Sequence, residues 1–129
     1  MAENSKATNP YVVEFEHRDR YLYAHAMAEK DSLDISVGYW TDIATYCIEN
    51  GFSRLLVERD CGTKNSLGDT YEIVSKVNEV GLADVKIAFV DRRPEHLEPD
   101  LFGETIALNR GVSCKVLKNV KEAEEWLLS

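Results

Sequence analysis

Residues 53–81 constrain the fold more than any other part of the chain. The run Ser-Arg-Leu-Leu-Val-Glu-Arg-Asp at 53–60 has a continuous apolar centre at Leu55, Leu56 and Val57, which predicts a strand covered on much of both faces. A polar loop with two glycines follows at 61–68. A helix is then predicted from about residue 69 to residue 80, with Ile73, Val74, Val77 and Val80 on one stripe and Gly81 as its stop. A two-sided strand, a short glycine-bearing turn and a crossover helix make half of a parallel βαβ unit. Sites in open α/β sheets gather where such strands end and their helices begin, so residues 60–70 are the first place to seek one.

The pattern extends in both directions. Residues 1–10 are polar and aperiodic and read as a flexible tail ahead of one α/β domain at 11–129. Residues 11–16 and 21–28 alternate as strands, and the four residues between them permit only an antiparallel hairpin. Symmetric closure pairs Glu16 with Tyr21, Phe15 with Leu22 and Val13 with Ala24. One face then carries Val13, Phe15, Leu22, Ala24 and Ala26. The other carries Glu14, Glu16 and the candidate interaction residues Tyr21, Tyr23, His25 and Met27. A helix capped near Asp34 or Ser36 follows, with Ile43, Ala44 and Cys47 at helical spacing and Asn50-Gly51 as its end.

Beyond the central unit, residues 85–90 form a third apolar-rich strand, which Asp91-Arg92-Arg93-Pro94 breaks. Pro99 suits the first position of a helix whose buried stripe is Leu101, Phe102, Thr105 and Ile106. Val112, Cys114 and Val116 alternate as an edge strand, and Asn119 caps a last helix at 120–128. The order is ββαβαβαβα. It predicts a single mixed, mostly parallel five-stranded sheet with an N-terminal antiparallel hairpin and four helices, the later strands parallel through right-handed crossovers.

Charge narrows the function. With 23 acidic against 15 basic residues the formal net charge is −8, which argues against nucleic acid or an anionic membrane as the partner. No apolar run approaches the roughly 18 residues of a membrane span, and the N-terminus lacks a basic-then-apolar leader, so a cytoplasmic location is expected. Three cysteines without CxxC spacing predict no structural disulfide; Cys47 and Cys114 fall on apolar positions as small core residues.

The order and two stretches resemble the SpoIIAA-like group of STAS domains, relatives of bacterial anti-sigma factor antagonists. The stretches are Leu-Phe-Gly-Glu-Thr-Ile-Ala-Leu-Asn-Arg-Gly-Val at 101–112, and residues 116–127 ending in Glu-Ala-Glu-Glu-Trp-Leu. The likeness covers about residues 11–128. It implies a bacterial regulator with no cofactor and a protein-binding role, switched in some members by phosphorylation. The switch serine of the antagonists lies in an Asp-Ser-Ser-Gly-Leu-Gly-like segment, where the central strand's loop enters its helix. Here that region reads Asn65-Ser66-Leu67-Gly68-Asp69-Thr70, with one serine near a glycine and no doubled serine. Ser66, with Thr70 in reserve, is expected at the exposed start of the helix, because Ser-x-x-Asp is also a weak capping-box pattern. The same fold type resembles CRAL-TRIO lipid-binding domains, which implies a small apolar ligand as the alternative.

Catalytic readings are weaker. Cys61 ends a strand before a glycine loop as a nucleophile would, with His25 or His96 as a base, but a phosphatase loop needs an arginine where Leu67 stands. Gly62-Thr63-Lys64 lacks the spacing of a phosphate-binding loop. Asp60 and Asp91 end two strands and, with Lys118 as the cation, suggest a receiver-like phosphoacceptor pair, yet no acidic pair follows the first strand. The three histidines have no zinc-ligand spacing. The reading is a non-catalytic module that binds a protein through Asp60, Cys61, Ser66 and Thr70, and a homodimer through Tyr21, Tyr23, His25 and Met27.

Overall fold

The computed structural model describes residues 10–129, so the tail expected at 1–10 lies, Pro10 excepted, outside the described residues. Strands β1 (Val12–Arg18) and β2 (Tyr21–Ala28) form the hairpin; α1 (Leu33–Glu49), β3 (Arg54–Cys61), α2 (Leu67–Asn78) and β4 (Lys86–Asp91) follow. A 3₁₀ turn at Pro94–His96 leads into α3 (Leu97–Asn109), and β5 (Ser113–Leu117) and α4 (Val120–Leu127) complete the chain. The sheet runs β1-β2-β3-β4-β5, with β1 antiparallel to β2 and every other pair parallel. This is the expected architecture.

Strand order explains the layers. Because the order advances in one direction, each right-handed crossover drops its helix on the same face of the sheet. Helices α1, α2 and α3 therefore share one face, where Leu22, Ala24, Leu55, Val57, Ile87 and Phe89 meet Tyr39, Ile43, Ile73 and Ala107. The helix α4 crosses back over the opposite face, where Ala123 and Leu127 cover Tyr21, Leu56, Ala88 and Val90. A monotone order has no reversal point, so this sheet lacks the crevice that doubly wound sheets open for ligands.

The hairpin closes tighter than symmetric closure of a four-residue loop predicts. Arg18 pairs with Tyr21, Phe15 with Ala24 and Val13 with Ala26. Asp19 and Arg20 alone make the turn, and Arg20 takes a left-handed φ of 69°. The slip is two residues, so every side chain keeps its expected face. Two helix starts also differ. The N-cap of α1 is Ser32, whose hydroxyl accepts from the Ile35 amide, which frees Asp31 for another task. The helix α3 begins at Leu97, two residues before Pro99, because the 3₁₀ turn already winds the chain. Among the described residues no helix is long and apolar enough to cross a membrane.

Candidate functional site

At the carboxyl ends of β3 and β4 the central strand carries charge into the core. Glu58 and Arg59 are both buried, and because strand neighbours alternate, each charge must be met on its own face. On the helix face, Arg59 is 4 % exposed. Its Nη2 donates to Asp31 Oδ2 at 2.6 Å and its Nη1 to Asp91 Oδ2 at 2.8 Å, with Asp100 Oδ1 at 3.5 Å. Its Nε donates to the Tyr39 hydroxyl at 2.9 Å, and that hydroxyl donates in turn to Asp31 at 2.8 Å. One guanidinium thus ties together the link before α1, the ends of two strands and the start of α3.

Each partner is placed by local chemistry. Asp31 is held by the loop after β3: a Cβ on Gly62 would lie 1.9 Å from the Glu29 carbonyl oxygen, so only glycine lets the two segments touch. The Gly62 amide donates to the Ala28 carbonyl, and Thr63 Oγ1 both accepts from the Asp31 amide and donates to its carbonyl. Burial alone would raise the Asp31 carboxyl, but the hydrogen bond from Ser36 and the neighbouring Arg59 hold it below the usual carboxylate range. Asp91 also takes the Arg93 amide at 2.9 Å and faces His96 Nδ1 at 3.2 Å. Asp100 goes the other way: burial, then its hydrogen bond to Asp91, push its carboxyl up to about 8.

This arrangement separates Asp60 from Asp91. Asp91 joins Arg59 on the helix face, whereas Asp60 points to the opposite face and pairs with Arg93 Nε at 3.0 Å. Lys118 is exposed after β5, outside both groups. Cys61 is fully buried, its Sγ 3.8 Å from the Tyr39 hydroxyl, and burial pushes its thiol up, away from the thiolate a nucleophile needs. Ser66 is the N-cap of α2: its hydroxyl accepts from the Asp69 amide at 3.0 Å and the residue is exposed. Thr70 is instead buried, its hydroxyl donating to the Ser66 carbonyl at 2.9 Å, because it lies one turn on and turns its methyl group toward Gly103 of α3. The expected exposure holds for Ser66 and not for Thr70.

On the opposite face, Tyr21, Tyr23, His25 and Met27 stand together as the alternation requires, but they are not alike. Tyr21 lies under α4 and donates to Glu124 at 2.7 Å. Tyr23, His25 and Met27 remain half-buried. Tyr23 donates to Glu58, which also accepts from Arg92 Nε at 2.7 Å, and the Arg18 guanidinium lies 4.2 Å above the Tyr23 ring. Burial would raise the Glu58 carboxyl, but the bonds from Arg92 and Tyr23 hold it low. The buried His25 Nε2 has no hydrogen-bond partner among the described residues.

Behind the Arg59 network, between the sheet and α1, α2 and α3, lies a cavity of about 120 Å³. Sequence reading missed the network, since Asp31, Arg59 and Asp100 are far apart in the chain. The available signal was the pair Glu58-Arg59, two adjacent charges in a strand whose apolar centre predicts burial on both faces. Among the described residues no group of three or more His, Cys, Asp or Glu is arranged to hold a metal ion; three carboxylates gather here round a guanidinium.

No family model matches the sequence, and no curated protein matches it. Solved structures do match. One is the crystal structure of an anti-sigma factor antagonist from Mycobacterium paratuberculosis, 12 % identical over 95 % of this chain and 97 % of that one, with a TM-score of 0.64. Another is the NMR structure of the protein TM1081, 16 % identical over 91 % of this chain and 89 % of that one, with a TM-score of 0.50. At such identities the likeness is one of fold. The chain has the α/β fold of an anti-sigma factor antagonist, as the SpoIIAA-like resemblance implies.

Proposed function

We propose that this chain is a non-catalytic regulatory module of STAS type, which binds another protein through the loop at 61–70 and the start of α2. The observation that carries the reading is Ser66: an exposed hydroxyl at the N-cap of α2, on the loop that leaves the central strand, in a chain with the antagonist fold. The loop is held firmly enough to present a surface, by Gly62 and Thr63 against residues 28–31 and by Asn65 Nδ2 donating to Ser36 at 3.1 Å. Phosphate on Ser66 would meet the free amides and positive end of α2, so the helix would tolerate it while the added charge repels an acidic partner. The buried thiol of Cys61 and the separation of Asp60 from Asp91 weigh against the enzyme alternatives. A cytoplasmic setting in a bacterial cell accords with the −8 charge and with the mycobacterial source of the structural neighbour.

A homodimer through Tyr23, His25 and Met27 forms the second part of the reading. The shared face of Tyr23, His25 and Met27, half-buried on the sheet and left partly open, favours a protein surface over it. Sedimentation of Met27→Asp against wild type tests it, and equal coefficients with the fold intact remove the dimer.

For the partner, the tagged chain is used as bait in extract of its native cell, and the captured protein is purified and titrated against wild type, Ser66→Ala and Ser66→Asp. A switch predicts at least tenfold weaker binding for Asp, about 1.4 kcal/mol, with stability unchanged. A capping role alone predicts lower stability for Ala, by about 1 kcal/mol, and normal binding for Asp. Equal affinities for all three remove Ser66 from the function.

A further inference from the structure

Natural interiors leave few voids larger than a water molecule. The cavity under α2 and α3 is far larger, at about 120 Å³. Its walls are chiefly apolar, with Trp40, Ile73, Val77, Ile87, Phe89 and Ala107 around it, and Trp40 stacks on Phe89 with centroids 5.9 Å apart. The lining also includes Ser36, Arg59, Asn65 and Asp100 at the carboxyl ends of the strands, and Glu104 on α3, whose Oε1 accepts from the Val116 amide at 2.6 Å. We propose that this cavity is a binding site for a small neutral molecule with one aromatic ring and one hydroxyl, of the size of phenol.

Three observations select that chemistry. The volume matches a single ring, since an engineered apolar cavity of about 150 Å³ in another protein takes up benzene. It is well below the roughly 300 Å³ at which pockets for drug-sized ligands begin, which favours a single ring over a long chain. The aromatic and branched walls offer dispersion contacts and no ionic partner. At the polar end, Arg59 already has Asp31 at 2.6 Å and Asp91 at 2.8 Å as counter-ions, so an entering anion meets two carboxylates and no unpaired cation. An entering cation meets the guanidinium itself, while Glu104 is already engaged by the Val116 amide and Asp100 is held largely neutral by burial beside Asp91. A neutral hydroxyl avoids both penalties and can bond to Asp100, which at 3.5 Å is the carboxylate held most loosely by Arg59. The site adjoins the proposed partner surface from within: Asn65 and Thr70 of the segment at 61–70 line it, Thr70 from the buried side of α2, while Ser66 faces outward.

The test uses the purified chain without a partner, so its failure leaves the protein-binding reading untouched. Phenol, benzoate and benzylamine are titrated by calorimetry, with amide chemical shifts followed by NMR. Phenol is expected to bind one to one and to move resonances of α2, α3 and β4, with benzoate and benzylamine at least tenfold weaker. Ala107→Leu fills the void and is expected to lose phenol at least tenfold while unfolding at or above the wild-type midpoint. Should that variant not fold, Val77→Ile serves the same purpose with one added methyl group. No phenol binding at millimolar concentration, or equal binding by wild type and the filled variant, overturns the site. Benzoate or benzylamine binding as tightly as phenol overturns its preference for a neutral ligand.

Discussion

Replacing Arg59 by Met tests whether the core of this domain is held by charge or merely contains it. The methionine keeps the apolar stem and removes the guanidinium, leaving Asp31 and Asp91 buried with side chains 0 % and 5 % exposed. Removing one partner of a buried ion pair costs about 3–5 kcal/mol, because the remaining charge loses its compensation. A domain of this size has about 5–15 kcal/mol of stability in all, so the loss is a large fraction. Between the values for smaller and larger domains, about 3–5 °C per kcal/mol, the melting midpoint should fall by about 10–25 °C. The sign of the pH response is diagnostic. In the wild type, Asp31 is held below its ordinary range, so its contribution is present above the unfolded pKa and is lost as pH falls through the folded one. In Arg59→Met the hydrogen bonds from Ser36 and Tyr39 remain but the guanidinium is gone, so burial weighs more, the Asp31 pKa rises, and the deficit against wild type should narrow as pH falls from 8 to 5.5. Urea unfolding followed by circular dichroism measures both, and a cycle with Asp31→Asn should show a coupling of about 1–3 kcal/mol. A cost below about 1 kcal/mol, a deficit constant with pH, or additive mutations would refute the ionic account.

Asp100→Asn should behave in the opposite sense. The folded carboxyl titrates near 8, well above its unfolded value, so its contribution is complete below about pH 4 and declines as pH rises to 8. Asparagine stays neutral, so the variant should gain on wild type between about pH 4 and pH 8, by up to about 1.4 kcal/mol per pH unit, and hold a constant lead above that; parallel curves of urea midpoint through the window refute this. Gly62→Ala forces a methyl group into the Glu29 carbonyl, and the melting midpoint should report a loss of about 1–3 kcal/mol or more. A variant as stable as wild type would mean that the two loops can part. All three thiols are pushed up by burial, Cys47 to about 11 and Cys114 to about 12, so a disulfide reagent at pH 8 should react slowly until the protein unfolds. Fast modification of Cys61 would return it to the list of nucleophiles.

Much of the fold was legible because its signals are local. The runs at Leu55–Val57 and Ile87–Val90 mark central strands, and Ser66, Asn119 and Asn50-Gly51 mark helix ends by side-chain chemistry that acts within four residues. The hairpin register was not legible to that precision. Arg20 holds a left-handed conformation without the glycine or asparagine that would have announced a two-residue turn. The site was legible only in part. Ser66 follows from the capping pattern, whereas the meeting of Asp31, Asp91 and Asp100 on Arg59 depends on tertiary register: Ala26 beside Arg59, and Arg59 beside Asp91. Asp60 and Asp91 looked alike as strand-ending acids, and one residue of parity puts them on opposite faces.

The monotone strand order also shapes how the chain folds. Every strand pairs with the one made just before it, so loop closure stays short throughout the sheet, and a nascent chain finds each new partner already waiting. Among the described residues α4 makes the longest-range bonds: Tyr21 donates to Glu124 across 103 residues and Arg54 to the Leu127 carbonyl at 3.2 Å, while Lys86 donates to that of Trp126 at 2.9 Å. Such contacts close the longest loops, so that helix is expected to cover its face after the rest has condensed, on the late side of the folding barrier. Leu127→Ala should therefore speed unfolding in stopped-flow experiments and leave the refolding rate nearly unchanged; slower refolding would place α4 in the nucleus.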